Sequence, residues 1–434
     1  MSTTLFTHCA LFPGSCSTVI DNAFILVKGN RIVGIGPMAE VPSPDTARVI
    51  DVGGRLVMPG LVNAHTHGAM TLFRGMADDL ALQTWLHDHI FPAEARCISP
   101  EMVYWSTKLA AAEMILSGTT CVADAYFFSA MSGQALSDCG LRAVIGHGIV
   151  DFSVPSVPDP AKNVDTVATF IAEWQGKDPL ITPAVFAHSP YTCSPATLIR
   201  AWRLAEETGV RFFVHLAESR SEMDMVIDPR GTSPVRHLAA LGLLGENTVA
   251  VHGVWLDDDD LELMARSGSR VVTCPQSNMK LASGIARVPD MLRHGITVGL
   301  GTDGCASNNS LDMFREMDML AKIQKVAGGD ATSLPAQAAL HSATTGGAAV
   351  LGLPHLGRLE TGFRADLIVL DLDRLHLTPF YHPDLLVYAA GGADVDTVMV
   401  DGRILMAGRR ILSFDVEEAK ARVRELALTA QPTS

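Results

Sequence analysis

Two imidazoles in the tripeptide His65-Thr66-His67 close an apolar, β-branched run, LVMPGLVNAH over 56–65. In an extended strand, side chains two residues apart share a face, so both rings would point the same way. Alone the pattern is a weak metal signal. It gains weight from what ends the other apolar runs: His147 in RAVIGHGIV (142–150), His188 in LITPAVFAH (180–188), His215 and Glu218 in RFFVHLAE (211–218), His252 in TVAVHGVW (248–255) and Asp303 in TVGLGTDG (297–304). Of the 15 histidines, those at 65, 67, 147, 188, 215 and 252 fall in this way. His65, His67, His215 and Asp303 together form a nitrogen-and-oxygen donor set suited to one borderline divalent cation with a position left open for water. Zinc is the expected ion, and iron(II) fits the same ligands. A carboxylate at 303 can equally serve as the base for that water. Glu218, three residues after His215, reads as a proton shuttle beside such a centre, with a salt-bridged surface glutamate as the alternative. Glu94 follows Pro92 and an aromatic stretch containing Trp85 and Phe91; it could hydrogen-bond a diol or be solvated. The second His-x-His, His87 and His89, lies in a helical stretch where positions i and i+2 point apart, and a structural role is expected.

These residues need elements that bring them to one place. With TCVADAY (120–126) and RVVTCPQSN (270–278) the chain holds eight runs rich in Val, Ile and Ala, a composition that suits strands covered on both faces. Between them lie helical patterns such as 104–118, 195–209, 233–245 and 258–268, several ending in Gly, with Ser194 and Ser233 as candidate N-caps. Eight βα units over about 250 residues predict a TIM (β/α)8 barrel, whose reactive groups collect at the C-terminal ends of its strands. A doubly wound open sheet is the alternative. Hairpin signals at Lys28-Gly29-Asn30 and Asp401-Gly402, and the strand-like ADLIVLDLD (365–373), predict a small β-sandwich domain from both termini, residues 1–55 and 357–434, around a barrel over 56–356.

Composition bounds the function. The chain has 434 residues, 48% hydrophobic and 18% charged, with a net charge of −14. Such a surface repels a polyanion, which excludes a nucleic-acid groove but not a single small nucleoside. Eight scattered cysteines with no C-x-x-C pattern fit a reducing cytoplasm. The N-terminal stretch lacks a basic and apolar leader pattern, and no window of about 18 apolar residues is found, so no membrane span is expected. Gly299-Leu-Gly301-Thr-Asp-Gly304 satisfies G-x-G-x-x-G, but it lacks the downstream acidic residue of a dinucleotide fold. Walker A, H-E-x-x-H, G-x-S-x-G and H-x-E…P-C-x-x-C patterns are absent.

PGLVNAHTH (59–67), VHLAES (214–219), AVHGVWL (250–256) and GLGTDGCASNNSLDMF (299–314) resemble the amidohydrolase superfamily. MTLFRGMADDLALQTWL (70–86), FPAEA (91–95), AHSPYTCSP (187–195) and CPQSNMKLASGI (274–285) bring the resemblance nearest to its 5′-methylthioadenosine/S-adenosylhomocysteine deaminases, over nearly the whole chain. The resemblance implies one zinc on His65, His67, His215 and Asp303. A bridged pair is disfavoured, because strand 4 ends in His188 rather than lysine. It also implies hydrolytic loss of ammonia from an adenosine-type ring. Asp303 and His252 would take the proton of the attacking water, and Glu218 would protonate the ring nitrogen next to C6. Glu94 would bind the ribose hydroxyls and His188 the ring, with Trp85 and His147 as further substrate contacts. His147 stands where relatives using a homocysteine-bearing substrate tend to have Arg; a neutral imidazole clamps carboxylates poorly. Methylthioadenosine or adenosine is therefore expected ahead of S-adenosylhomocysteine. A homo-oligomer, dimer or tetramer, is implied by the same resemblance. The competing readings are a guanine or pterin deaminase, a triazine hydrolase, and a non-catalytic barrel scaffold.

Overall fold

The computed structural model describes residues 2–14, 18–43, 47–230 and 232–430. Five strands come first: β1 (Thr3–Leu11), β2 (Ile20–Lys28), β3 (Arg31–Pro37), β4 (Arg48–Asp51) and β5 (Leu56–Pro59). Eight more, β6 (Leu61–Thr66), β7 (Thr119–Tyr126), β8 (Arg142–Ile149), β9 (Ile181–Ala187), β10 (Phe212–Leu216), β11 (Thr248–His252), β12 (Arg270–Thr273) and β13 (Val298–Leu300), pair in parallel in chain order, with helices between them. The final four are β14 (Leu367–Leu370), β15 (Val395–Val400), β16 (Arg403–Ala407) and β17 (Arg410–Ile411).

The eight parallel strands are the expected barrel. Alternation sorts their side chains: Cys121, Ala123 and Ala125, Val144, Ala184 and Phe186, Phe213, and Val249 and Val251 form an inner cluster, while their neighbours Val122, Val185, Val214 and Ala250 pack outward against the helices. The helices start and stop where the sequence places their caps. The Ser194 and Ser233 hydroxyls accept from Thr197 N and Arg236 N, and Gly209 and Gly268 end their helices in the left-handed region.

The barrel closes between its first and last strands through three bonds that involve side chains and one between backbones. The Asn63 amide donates to Thr302 Oγ1 at 2.7 Å and accepts from Thr302 N at 3.0 Å. Thr66 Oγ1 donates to Asp303 O at 2.8 Å, and Asp303 N donates to His65 O at 3.0 Å.

The run 56–65 is two strands rather than one. β5 pairs with β14 and β1, whereas β6 pairs with β7. The break falls at Gly60, where a Cβ would lie 2.1 Å from Thr120 Oγ1. β5 thus joins β1–β4 and β14–β17 in one nine-stranded sheet that branches at β1 and encloses its own core, including Phe6, Ile25, Ile32, Val57, Leu367 and Met399. Both predicted hairpins are present, as β2/β3 and β15/β16. The C-terminal stretch differs from a purely β tail: it ends in the helix Val416–Ala430, which packs on the barrel-flanking helix Pro100–Leu116.

A buried ion cluster joins the two parts. Arg142, at the start of β8, forks onto Asp366 at 2.9 and 3.0 Å and reaches Asp401 at 2.7 Å, with Arg364 adding to Asp401. Arg142 and Asp366 are 5% and 3% exposed. Replacing Arg142 by Ala would strand a buried carboxylate. Denaturant unfolding of Arg142→Ala should show a loss of about 3–5 kcal/mol, whereas a loss below 1 kcal/mol would mean the cluster is energetically idle.

Candidate active site

At the C-terminal ends of the barrel strands lies a cavity of about 390 Å³. His67, Trp85, Glu94, Tyr126, His188, His215, Glu218, His252 and Asp303 line it, and His65 sits behind them at 1% exposure.

Strand alternation explains most of this convergence. Phe186 and Phe213 point inward, so His188 and His215, two residues further on, do too. The β6/β7 register shifts between Asn63 and Thr66, where β6 gives way to its paired imidazoles. His252 follows Val251, which already faces the lumen, so regular alternation would turn it away. Its backbone is instead left-handed, φ +76, as are Asp303 at +60 and Ala217, next to Glu218, at +54. Such conformations are costly for residues other than glycine and collect where side-chain aim matters.

The same alternation keeps His147 out of the cavity. It is in step with Ile145 and Ile149, which pack toward the helices, while Gly148 is the residue of β8 that lines the cavity. The His147 ring nitrogens face Ser129 Oγ at 3.1 Å and Ser156 Oγ at 3.4 Å. His87 and His89 sit on the exposed side of the π-helical turn Trp85–Ile90.

The donor atoms converge tightly. His65 Nε2 and His67 Nε2 lie 3.5 and 3.4 Å from Asp303 Oδ1, and His215 Nε2 lies 3.4 Å from His65 Nε2. His67 Nδ1 donates to Ala125 O, which fixes the tautomer that turns the Nε2 lone pair into the cluster. Burial holds His65 down to about 4 and His215 well below the usual histidine range, so both rings are neutral, as a metal requires. Burial alone would raise Asp303, but the hydrogen bond with His65 and the neighbouring imidazoles hold it well below the usual carboxylate range. Ser277 and Ser307 donate to its Oδ2 at 2.6 and 3.0 Å. Three imidazoles and an ionised, oriented carboxylate fit one divalent cation. His252 Nε2 is within reach of the same cluster, while its Nδ1 bonds Asn278 Oδ1 at 3.0 Å.

Around this cluster stand groups for proton transfer and binding. Glu218 faces His252 Nε2 at 3.8 Å, and burial raises its pKa, partly opposed by His252. His188, held by burial at about 4, bonds Thr192 Oγ1 at 2.9 Å. Glu94 accepts from the Tyr126 hydroxyl at 2.5 Å. The Trp85 Nε1 is buried and has no protein partner among the described residues. Tyr126, Ser277, Asn278, Ser307 and Thr192 escaped the sequence reading. Tyr126 and Asn278 had a signal, since they end the runs 120–126 and 270–278.

The family model for amidohydrolases matches residues 56–405. The chain belongs to the amidohydrolase family. Within the family it is 47% identical over 415 residues to a 5-methylthioadenosine/S-adenosylhomocysteine deaminase of Syntrophobacter fumaroxidans, covering 95% of this chain and 94% of that one. It is 41% identical to a 5′-deoxyadenosine deaminase of Methanosarcina mazei, covering 94% and 98%. The crystal structure of a zinc-bound adenosine deaminase from Xanthomonas campestris superposes with a TM-score of 0.96 at 36% identity, covering 99% and 98%. The family is metal-dependent, and the donor atoms of the imidazole–carboxylate cluster lie close enough together to hold an ion.

Burial pushes the Glu94 carboxyl up to about 7, opposed by the Tyr126 hydroxyl. The folded chain then binds this proton more tightly than the unfolded chain. Glu94 therefore contributes a stability that is full below the usual carboxylate range and falls as pH rises to about 7. Melting curves across pH 4–8 should show that slope, and it should flatten in Glu94→Gln. An equal slope in both proteins would place the titration elsewhere.

Proposed function

We propose that this amidohydrolase removes ammonia hydrolytically from adenosine-type nucleosides, with 5′-methylthioadenosine as the preferred substrate, and that zinc is its metal. One observation carries the reading. Two buried carboxyls in one cavity, Glu218 and Asp303, are pushed in opposite directions beside the imidazole cluster, which divides acid from base. The relatives' deaminase names support it.

The cation would be held by His65, His67, His215 and Asp303, and it supplies Lewis-acid activation of water near neutral pH. Glu94, paired with Tyr126, accepts the ribose hydroxyls. His188 meets the ring, and the unpartnered Trp85 N–H is available to the substrate. Glu218, whose pKa burial raises, donates to the ring nitrogen beside C6 and makes that carbon electrophilic. His252, its Nδ1 held by Asn278, and Asp303 accept the proton of the attacking water and pass one to the departing amine. Ammonia and the inosine analogue leave.

Among the described residues no lysine or arginine lines the cavity, and Phe91, Phe152, Val154 and Pro155 supply an apolar wall near its mouth. Such a wall suits a methylthio group and leaves an amino-acid tail without a counter-charge. His147 lies outside the cavity and faces Ser156, the residue after Pro155, at 3.4 Å. Unpaired cysteines among the described residues support the cytoplasm as location, where thiols stay reduced. A dimer or tetramer is proposed from the family resemblance alone.

Loss of adenine absorbance with a nucleoside panel tests the reading. Methylthioadenosine should turn over with kcat/KM about tenfold or more above S-adenosylhomocysteine, and chelation should abolish the signal. Turnover of guanine, a pterin or a chlorotriazine instead would transfer the protein to a rival chemistry, and a folded protein free of metal would make it a scaffold. Glu218→Gln should keep its metal and lose about 10²-fold or more in kcat; unchanged turnover would remove Glu218 from the reaction.

A further inference from the structure

Glu222 lies outside the roles assigned above, yet it is 1% exposed and sits just behind the reactive cluster. It occupies the first turn of the helix Arg220–Arg230. The stretch Ser219-Arg-Ser-Glu222 has the capping-box pattern, in which the glutamate normally turns back to the N–H of the serine. Here half of the box is made: the Ser219 hydroxyl accepts from Glu222 N at 3.2 Å. The glutamate carboxyl reaches past Ser219. Its Oε1 accepts from Ala217 N at 3.0 Å and its Oε2 from Glu218 N at 2.7 Å.

These two N–H groups belong to the turn that presents Glu218. Ala217 holds a left-handed backbone, φ +54. The far side of the same turn is tied to the end of β11: Leu216 O accepts from Gly253 N, and Ala217 O accepts from Val254 N and Trp255 N. Gly253 directly follows His252. One carboxyl thus clamps the segment that aims Glu218, and through three backbone bonds that segment is fixed to the one that aims His252.

We propose that Glu222 is a positioning residue for the Glu218–His252 pair: its carboxyl bridges the amides of residues 217 and 218 and sets the Glu218 carboxyl at the height of the ring nitrogen it protonates. The proposal rests on the deaminase reading. A glutamine at 222 keeps one acceptor and turns an NH2 toward an N–H, so one strut is lost while the volume stays the same. An aspartate keeps the carboxyl but is one methylene short of spanning both amides.

The test uses the metal-loaded, full-length enzyme with methylthioadenosine and adenosine. Wild-type turnover comes first, because its absence refutes the deaminase reading itself. Glu222→Gln should lower kcat by about 10²-fold, the size expected for a displaced reacting group, with KM within about threefold and metal content unchanged. The pH profile should lose the limb that depends on the Glu218 proton. In a Glu218→Gln background the same substitution should cost less than about threefold further, because residues acting as a unit are not additive. Ser219→Ala removes only the helix cap and should leave kcat within about twofold. Glu222→Asp, with the same expectations, takes the place of Glu222→Gln if that variant does not fold. The proposal is overturned if the Glu218 and Glu222 losses multiply, if metal is lost in step with activity, if Ser219→Ala lowers kcat as much as Glu222→Gln, or if wild-type turnover is insensitive to residue 222.

Discussion

The structure depends on how its barrel is shut. β6 and β13 are the two ends of the eight-stranded sheet, and side chains carry most of the join between them. The Asn63 amide stands in for a strand by bonding Thr302 through both its nitrogen and its oxygen. Above it, Thr66 and His65 bond the backbone of Asp303. That join brings residues 65 and 67 to within 3.5 Å of residue 303, although some 240 positions separate them in the chain. An open sheet made of the same strands would hold the first and last ligands a sheet-width apart, and no cation could bind both.

Closure also sets the electrostatics. Packing several imidazoles into a dry strand-end cavity removes water from each, and a buried ring loses its proton before a buried carboxylate surrounded by donors gains one. Asp303, hydrogen-bonded to His65 and facing the His67 and His252 rings, is held as an anion. Glu218 is driven the other way by burial. One cavity therefore pushes two carboxyls in opposite directions, and the difference comes from their surroundings: neighbouring imidazoles for Asp303, burial for Glu218.

Much of this was legible in the residues. Strand periodicity located all eight barrel strands, and strand-end position selected His65, His67, His188, His215, His252, Glu218 and Asp303. What failed did so for local reasons. His147 ends an apolar run like the others, but its parity with Ile145 and Ile149 turns it outward; counting alternation from Gly146 and Gly148 would have revealed this. LVMPGLVNAH looks continuous because Gly60 interrupts the pairing partner and not the hydrophobicity. The backbone inversions at Ala217, His252 and Asp303 had no signature, since none of the three is glycine. Ser277 and Ser307 could not be singled out, because small polar residues carry meaning only through what they face. Glu222 was visible as a capping pattern, and only the folded turn shows that its carboxyl serves different amides.

The cavity draws its walls from two kinds of chain. The reactive side comes from strand ends locked into a closed hydrogen-bonded cylinder, whereas Phe152, Ser153, Val154 and Pro155 come from the connection after β8, which shares none of those bonds to the ligands. The connection that walls the cavity and the strand ends that carry its ionisable groups are thus physically separate stretches of the chain.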